Sequence, residues 1–261
     1  MKKLLSAFLL ILLLVSAFAA CGGGDGVTVN SIEDLDEAVI GVQNATTGHT
    51  FVNDNLPNAT ADAFPQGADA VQALLAGQVD AVIIDGLPAM QFVAANEGQI
   101  RALDEDLTSE YYGIAFQLGS PYVALFDEAL DTLRANGTLQ GIFDYWVNEL
   151  PGASRYVTPE GTEHPNGTLT MATNAGFPPF EMWEGDQIVG IDPCIARAIG
   201  DLLGYEIEII DMGFDAIILS VQAGQEDFGM AGMTIRDDRR EFVDFTQGYF
   251  NASQRVLVRV D

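Results

Sequence analysis

Two residues carry charge where the surrounding sequence looks set for burial or for a helix start. Asp85 closes the apolar run Ala81-Val-Ile-Ile84. A buried acid at the end of such a strand needs a partner. Arg239 closes the run Gly232-Met-Thr234-Ile-Arg-Asp-Asp-Arg239. A guanidinium can grip a carboxylate with two parallel charge-assisted hydrogen bonds; Asp237, Asp238 and Glu241 also offer it surface partners. A weak internal repeat supports the pairing of these regions. Ala76-Gly77-Gln78-Val79-Asp80 matches Ala223-Gly224-Gln225-Glu226-Asp227 at an offset of 147 residues, and the same offset sets Asp85 opposite Gly232. Ligands bind beyond the carboxyl ends of parallel strands, so both positions are candidates for a site. Motifs for bond-breaking chemistry are scarce. The histidines are His49 and His164 alone, and GxSxG, GxxxxGK and GxGxxG do not occur. His49 could be pictured as a base with a Thr47 nucleophile, but Thr47 is better explained as a donor at a helix start. No cysteine–histidine cluster suggests a metal site, and no cofactor is implied.

The elements that must position these residues alternate between strand and helix. Residues 38–42, 80–84, 112–117, 168–173, 205–210 and 227–231 read as strands. Residues 70–76, 121–135, 192–203 and 214–223 read as helices, several closed by glycine, and Thr138 opens another. Repeated β-α-β units imply parallel sheets with right-handed crossovers. Residues 151–166 hold three prolines and no apolar period, and read as a linker.

Composition narrows the partners. In 261 residues, 38 acidic side chains face 11 basic ones, for a formal charge of -27. Phosphate backbones repel such a chain, which excludes nucleic-acid binding. Both lysines, Lys2 and Lys3, precede an uncharged apolar run from Leu4 to Ala20. Residues 1–20 read as an export signal. Phe18-Ala-Ala-Cys21-Gly looks like a bacterial lipoprotein processing site, with lipid on Cys21 and residues 21–26 as a glycine-rich tether. The alternative is a plain signal peptide with Cys21 incidental. Five Asn-x-Ser/Thr motifs, at Asn44, Asn58, Asn136, Asn166 and Asn251, read as coincidence in a bacterial lipoprotein.

One set of motifs carries a resemblance. Asn174-Ala-Gly-Phe177-Pro-Pro-Phe180-Glu181, Gly190-Ile-Asp192, Gly213-Phe214-Asp215, Gly232 to Arg239 and Val243-Asp-Phe245-Thr246 follow one another in the second half. Together they resemble the first lobe of the bacterial extracellular solute-binding proteins that deliver polar amino acids to ABC importers. Residues 27–111, through Gly41, Thr46-Thr47 and Asp85, resemble that family's second lobe, and residues 112–150 its C-terminal segment. The order is rotated relative to the family. The resemblance therefore implies an α/β, two-lobed periplasmic-binding-protein type II fold, circularly permuted. Residues 151–166 would bridge the family's usual ends, and residues 167–261 would hold the main part of the first lobe and a crossover strand. The alternatives are a fragment of a tandem array and a chain completed by swapping halves with a neighbour.

By this resemblance Arg239 holds the α-carboxylate of a free L-amino acid, helped by Thr234 through its N–H and hydroxyl and by Thr47 across the cleft. Asp85 accepts the α-ammonium, with the Gly232 carbonyl beside it. Phe177 and Phe214 sandwich the ligand side chain. Asn174 and Gln43 place neutral amides where many relatives carry charge, which favours a polar uncharged side chain such as glutamine's and leaves arginine open, so the expected ligand is glutamine- or arginine-like. The implied partners are an ABC permease and, through Cys21, the membrane, with the protein monomeric at the periplasm or outer cell surface. A sensory ligand-binding module and a dehydratase of the cyclohexadienyl type are the rival readings.

Overall fold

A computed structural model describes residues 27–260; the export signal expected at 1–20, Cys21 and the expected tether to residue 26 lie outside the described residues. The first half alternates β1 (Val39–Gln43), α1 (Thr47–Asn55), β2 (Thr60–Phe64), α2 (Gly67–Leu75), β3 (Ala81–Asp85), α3 (Gly86–Ala95) and β4 (Ile100–Ala102). Next come β5 (Glu110–Tyr112), β6 (Ala115–Gln117), α4 (Tyr122–Ala135) and α5 (Thr138–Trp146). The second half runs β7 (Thr168–Thr173), β8 (Met182–Glu184), β9 (Gln187–Val189), α6 (Ile191–Leu203), β10 (Glu206–Asp211), α7 (Phe214–Gln222) and β11 (Phe228–Gly229). It closes with α8 (Asp237–Arg240), β12 (Val243–Phe245), β13 (Phe250–Ala252) and β14 (Gln254–Arg259).

These strands build two five-stranded sheets of the same pattern, β2-β1-β3-β14-β4 and β10-β7-β11-β6-β12. In each, the first three strands are parallel and the fourth is antiparallel to both neighbours. The sheets are thus mixed, not wholly parallel as the β-α-β rhythm implied. The antiparallel strand, β14 in one sheet and β6 in the other, comes from a segment distant in sequence, which no local periodicity reports. The fully buried β3, Ala-Val-Ile-Ile-Asp, is apolar along its length because helices cover both faces.

The chain passes between the sheets twice, and the two passages, β5 and β13, pair antiparallel as a short ladder. The strand expected over 112–117 is therefore two strands. Gly113 separates them, because Ile235 lies where its Cβ would stand, 2.7 Å from Cγ1. Residues 151–166 form no helix or strand but are fastened along α6. Tyr156 and Thr158 donate to Asp201 at 2.8 and 3.3 Å, His164 Nε2 lies 2.9 Å from the same carboxylate, and Asn166 donates to the Leu203 carbonyl. Cys194 is a buried, free thiol beneath this segment, accepting from Trp146 Nε1 at 3.4 Å.

Candidate functional site

The carboxyl ends of both sets of parallel strands face one cleft, and the two halves are closed on each other there. A narrow pocket, closed down to a free volume of about 10 Å³, is lined by Gln43, Thr46, Thr47, Asp85, Asn174, Phe177, Glu181, Phe214, Ala231, Gly232, Thr234 and Arg239. All nine residues singled out as ligand contacts in the sequence thus lie around one cavity. Gln43 and Asp85 are the last residues of β1 and β3, Thr47 begins α1, and Phe214 begins α7. Asn174 follows β7 directly, and Gly232 and Thr234 lie in the stretch between β11 and α8.

The two charged groups are buried without charged partners. Arg239 is 4% exposed and forms no ion pair among the described residues. Its Nη1 donates to the Thr234 carbonyl at 2.8 Å, and its Nη2 reaches the Ala45 carbonyl of the other half at 3.1 Å. The guanidinium stands over the Phe214 ring at 5.3 Å. Burial, and then the neighbouring Arg236, push its pKa down to about 9. Asp85, 6% exposed, accepts from the Tyr112 hydroxyl at 2.5 Å. Burial and the nearby Glu110 carboxylate push Asp85 up to about 7. The pocket therefore holds a buried cation without an ion-pair partner and, on the facing half, a carboxyl that burial holds partly protonated. That arrangement costs stability when empty and is relieved by a ligand bearing both charges.

Several side chains are spent differently from expectation. The Thr234 hydroxyl donates to Glu110 Oε2 at 2.6 Å, so it is not free to donate to a carboxylate. Gln43 Nε2 donates to Asn174 Oδ1 at 2.8 Å, and Asn174 Nδ2 to the Met212 carbonyl at 2.7 Å. These amides thus join the two halves, instead of both presenting donors to the cavity. Thr46 caps α1, accepting from the His49 N–H at 3.3 Å. Thr47 is left at the helix start, where Arg236 Nη1 meets its hydroxyl at 3.4 Å. Arg236 itself is held by Asp238 through two bonds of 2.9 and 2.7 Å.

Four buried groups around the pocket were not assigned roles from sequence. Glu110 and Tyr112 are buried while Tyr111 between them is 56% exposed. That period-2 alternation marked an acid and a phenol on the inner face of one strand. Asp192 accepts from the Gly232 N–H at 2.8 Å and from the Tyr249 hydroxyl at 2.9 Å, and burial pushes it up to about 6. Glu181, fully buried, lines the cavity beside the Asp192 carboxyl, with no N–H or basic group on its oxygens among the described residues. Burial and then Asp192 hold its pKa well above the usual carboxylate range. Nothing in the local sequence distinguishes Glu181 from a surface glutamate before the hairpin β8–β9.

Gly232 is held at φ +53°, and a Cβ there would lie 2.6 Å from Phe177 Cε1. The left-handed backbone and the clash act together, so Gly232→Ala should cost roughly 2 kcal/mol or more. The melting temperature is expected to fall by on the order of 5 °C, with Phe177 displaced from the cavity wall. A thermal melt indistinguishable from the unsubstituted chain would contradict this packing.

Comparison with known proteins gives a consistent set. Residues 169–261 match the bacterial extracellular solute-binding proteins, family 3. The arginine-binding extracellular protein ArtP of Bacillus subtilis is 39% identical over 101 residues, 39% of this chain and 40% of that protein. The arginine-binding protein ArgT of Corynebacterium glutamicum is 35% identical over 119 residues, 44% of this chain and 39% of that one. The chain thus spans about two-fifths of the length of the curated relatives it matches. Among solved structures, an ancestral arginine-binding protein bound to arginine is 44% identical over 32% of this chain and 38% of its own, with a TM-score of 0.32.

Proposed function

We propose, for a chain whose residues 169–261 match the bacterial extracellular solute-binding proteins of family 3, that the cleft binds a free polar L-amino acid of the arginine type. The observation that carries this reading is the pair of unpartnered buried charges, Arg239 and Asp85, lining one cavity from opposite halves. Arg239 takes the α-carboxylate and Asp85 the α-ammonium. Glu181, at the cavity wall beside Asp192, supplies the negative group for a cationic side chain, whose charge favours the ionised carboxylate. Phe177 and Phe214 give that side chain its walls, where a guanidinium gains cation–π attraction. The likeness to two arginine-binding proteins supports the same choice.

Binding across the cleft favours the closed arrangement of the halves, and the ligand shifts that population only as far as it binds the closed form better. No bond is made or broken. The closed form then presents itself to an ABC permease outside the cytoplasm, held to the membrane by lipid on Cys21 after removal of residues 1–20. The shared strand order of the two sheets supports a type II fold with its segments in rotated order. In that reading residues 27–111 form one lobe, 112–150 and 167–261 the other with its crossover, and 151–166 the join.

Titration calorimetry with L-arginine, L-glutamine, L-histidine and L-glutamate tests the proposal. Arginine is expected to bind at least tenfold tighter than glutamine and glutamate not at all. Silence with every amino acid would overturn the zwitterion site, and tighter binding of glutamine would overturn only the role of Glu181.

A further inference from the structure

We propose that this protein is N-glycosylated, with Asn136 as the leading acceptor. The sequence Asn-x-Ser/Thr is what oligosaccharide transferases modify on the surface loops of exported proteins. Eleven asparagines, in a chain where 23 of 261 residues are serine or threonine, would meet that motif about once by chance. It occurs five times, always with alanine or glycine in the middle and four times with threonine at the end. Coincidence of composition, the reading from sequence alone, does not account for this number. All five asparagines are exposed, as a modified side chain must be.

The structure ranks the five sites. Asn44 donates across the cleft to Asp215 at 3.2 Å, so a glycan there would wedge the halves apart. The Asn58 amide is held by Asp36 at 2.9 and 3.1 Å, and that of Asn166 by the Leu203 carbonyl. Asn251 lies within β13. Asn136 sits in the turn between α4 and α5, neither of which lines the pocket. Its Oδ1 accepts from the Thr138 N–H at 2.9 Å, folding residues 136–138 into a tight turn. Its Nδ2 has no protein partner among the described residues and faces solvent. This is the acceptor presented with its threonine and with nothing to displace.

The donor is an oligosaccharide linked to a lipid phosphate. The Asn136 amide nitrogen attacks the anomeric carbon, a C–N bond forms and the C–O bond to phosphate breaks. The amide proton passes to a base of the transferase, and the lipid phosphate leaves with the electron pair. No oxidation or reduction is involved.

Mass spectrometry of the full chain purified from its own cells tests this, because trypsin releases residues 135–155 as one peptide containing Asn136. That peptide is expected to be heavier by several sugar residues. The added mass should vanish in Asn136→Gln and in Thr138→Ala, and persist in Thr138→Ser. Finding the peptide at its unmodified mass alone, or the added mass retained in Thr138→Ala, overturns the proposal. Arginine affinity should be unchanged in Asn136→Gln, so this readout and the ligand reading stand or fall separately.

Discussion

Arg239→Met is expected to abolish measurable arginine binding while raising, or at least preserving, the thermal stability of the empty protein. The two effects have one cause. Arg239 is buried with carbonyl oxygens and an aromatic face around it and no carboxylate within ion-pair reach among the described residues. Removing one partner of a desolvated charge pair costs about 2–5 kcal/mol, roughly 30- to 5,000-fold in affinity. In the empty protein the same guanidinium is an uncompensated charge. Replacing it by an apolar side chain of similar length removes a penalty there. The hydrogen bond from Nη2 to the Ala45 carbonyl is lost as well, which partly offsets the gain. Differential scanning fluorimetry with and without arginine separates the terms: the ligand-induced shift should disappear and the unliganded midpoint should not fall. A surface role predicts the opposite pattern, with affinity retained and little change in melting. Retention of wild-type affinity would remove the carboxylate clamp from this site.

How much of this could be read in advance differs between the sheets and the cavity. Strands such as Ala81–Asp85 and helices such as Ile191–Leu203 announce themselves through continuous apolar runs and a closing glycine, Gly204 at φ +74°. The short pieces did not. β6 and β11 are three and two residues long, and each is a strand only because distant neighbours supply its ladder. The pocket residues were found by chemical type at strand ends, where an acid after Ile84 or an arginine after two aspartates stands out. Their hydrogen-bond partners were not. The Gln43–Asn174 bond spans 131 residues, and the Thr234–Glu110 bond spans 124. No local pattern reports which of two polar groups a closing cleft will bring together. Glu181 illustrates the limit. Its identity was visible, but its burial against the Asp192 carboxyl is a property of the packed structure alone.

The pH dependence of binding should expose Asp85. Burial and the Glu110 carboxylate hold its pKa near 7 in the empty pocket, against about 3.8 when the chain is unfolded. The folded state therefore binds more protons than the unfolded one between those values, and the stability of the empty protein should decline as pH rises from 4 to 7. Ligand reverses the preference. An ammonium beside Asp85 favours the carboxylate and draws its pKa down. Binding near pH 6 should then release close to one proton, and arginine affinity should fall up to tenfold per unit as pH drops from 7 to 5. Asp192 and Glu181, also raised by burial, act in the same direction if the ligand's guanidinium ionises either, so the slope is not theirs to cancel. Asp85→Asn discriminates between them. The variant keeps a group that can accept from Tyr112 but removes the titrating carboxylate, so it should bind more weakly and with a flatter pH profile. Calorimetry in two buffers of different ionisation enthalpy measures the proton count directly. A count near zero at pH 6 in the unsubstituted protein, or an unaltered count in Asp85→Asn, would place the ammonium elsewhere in the cavity.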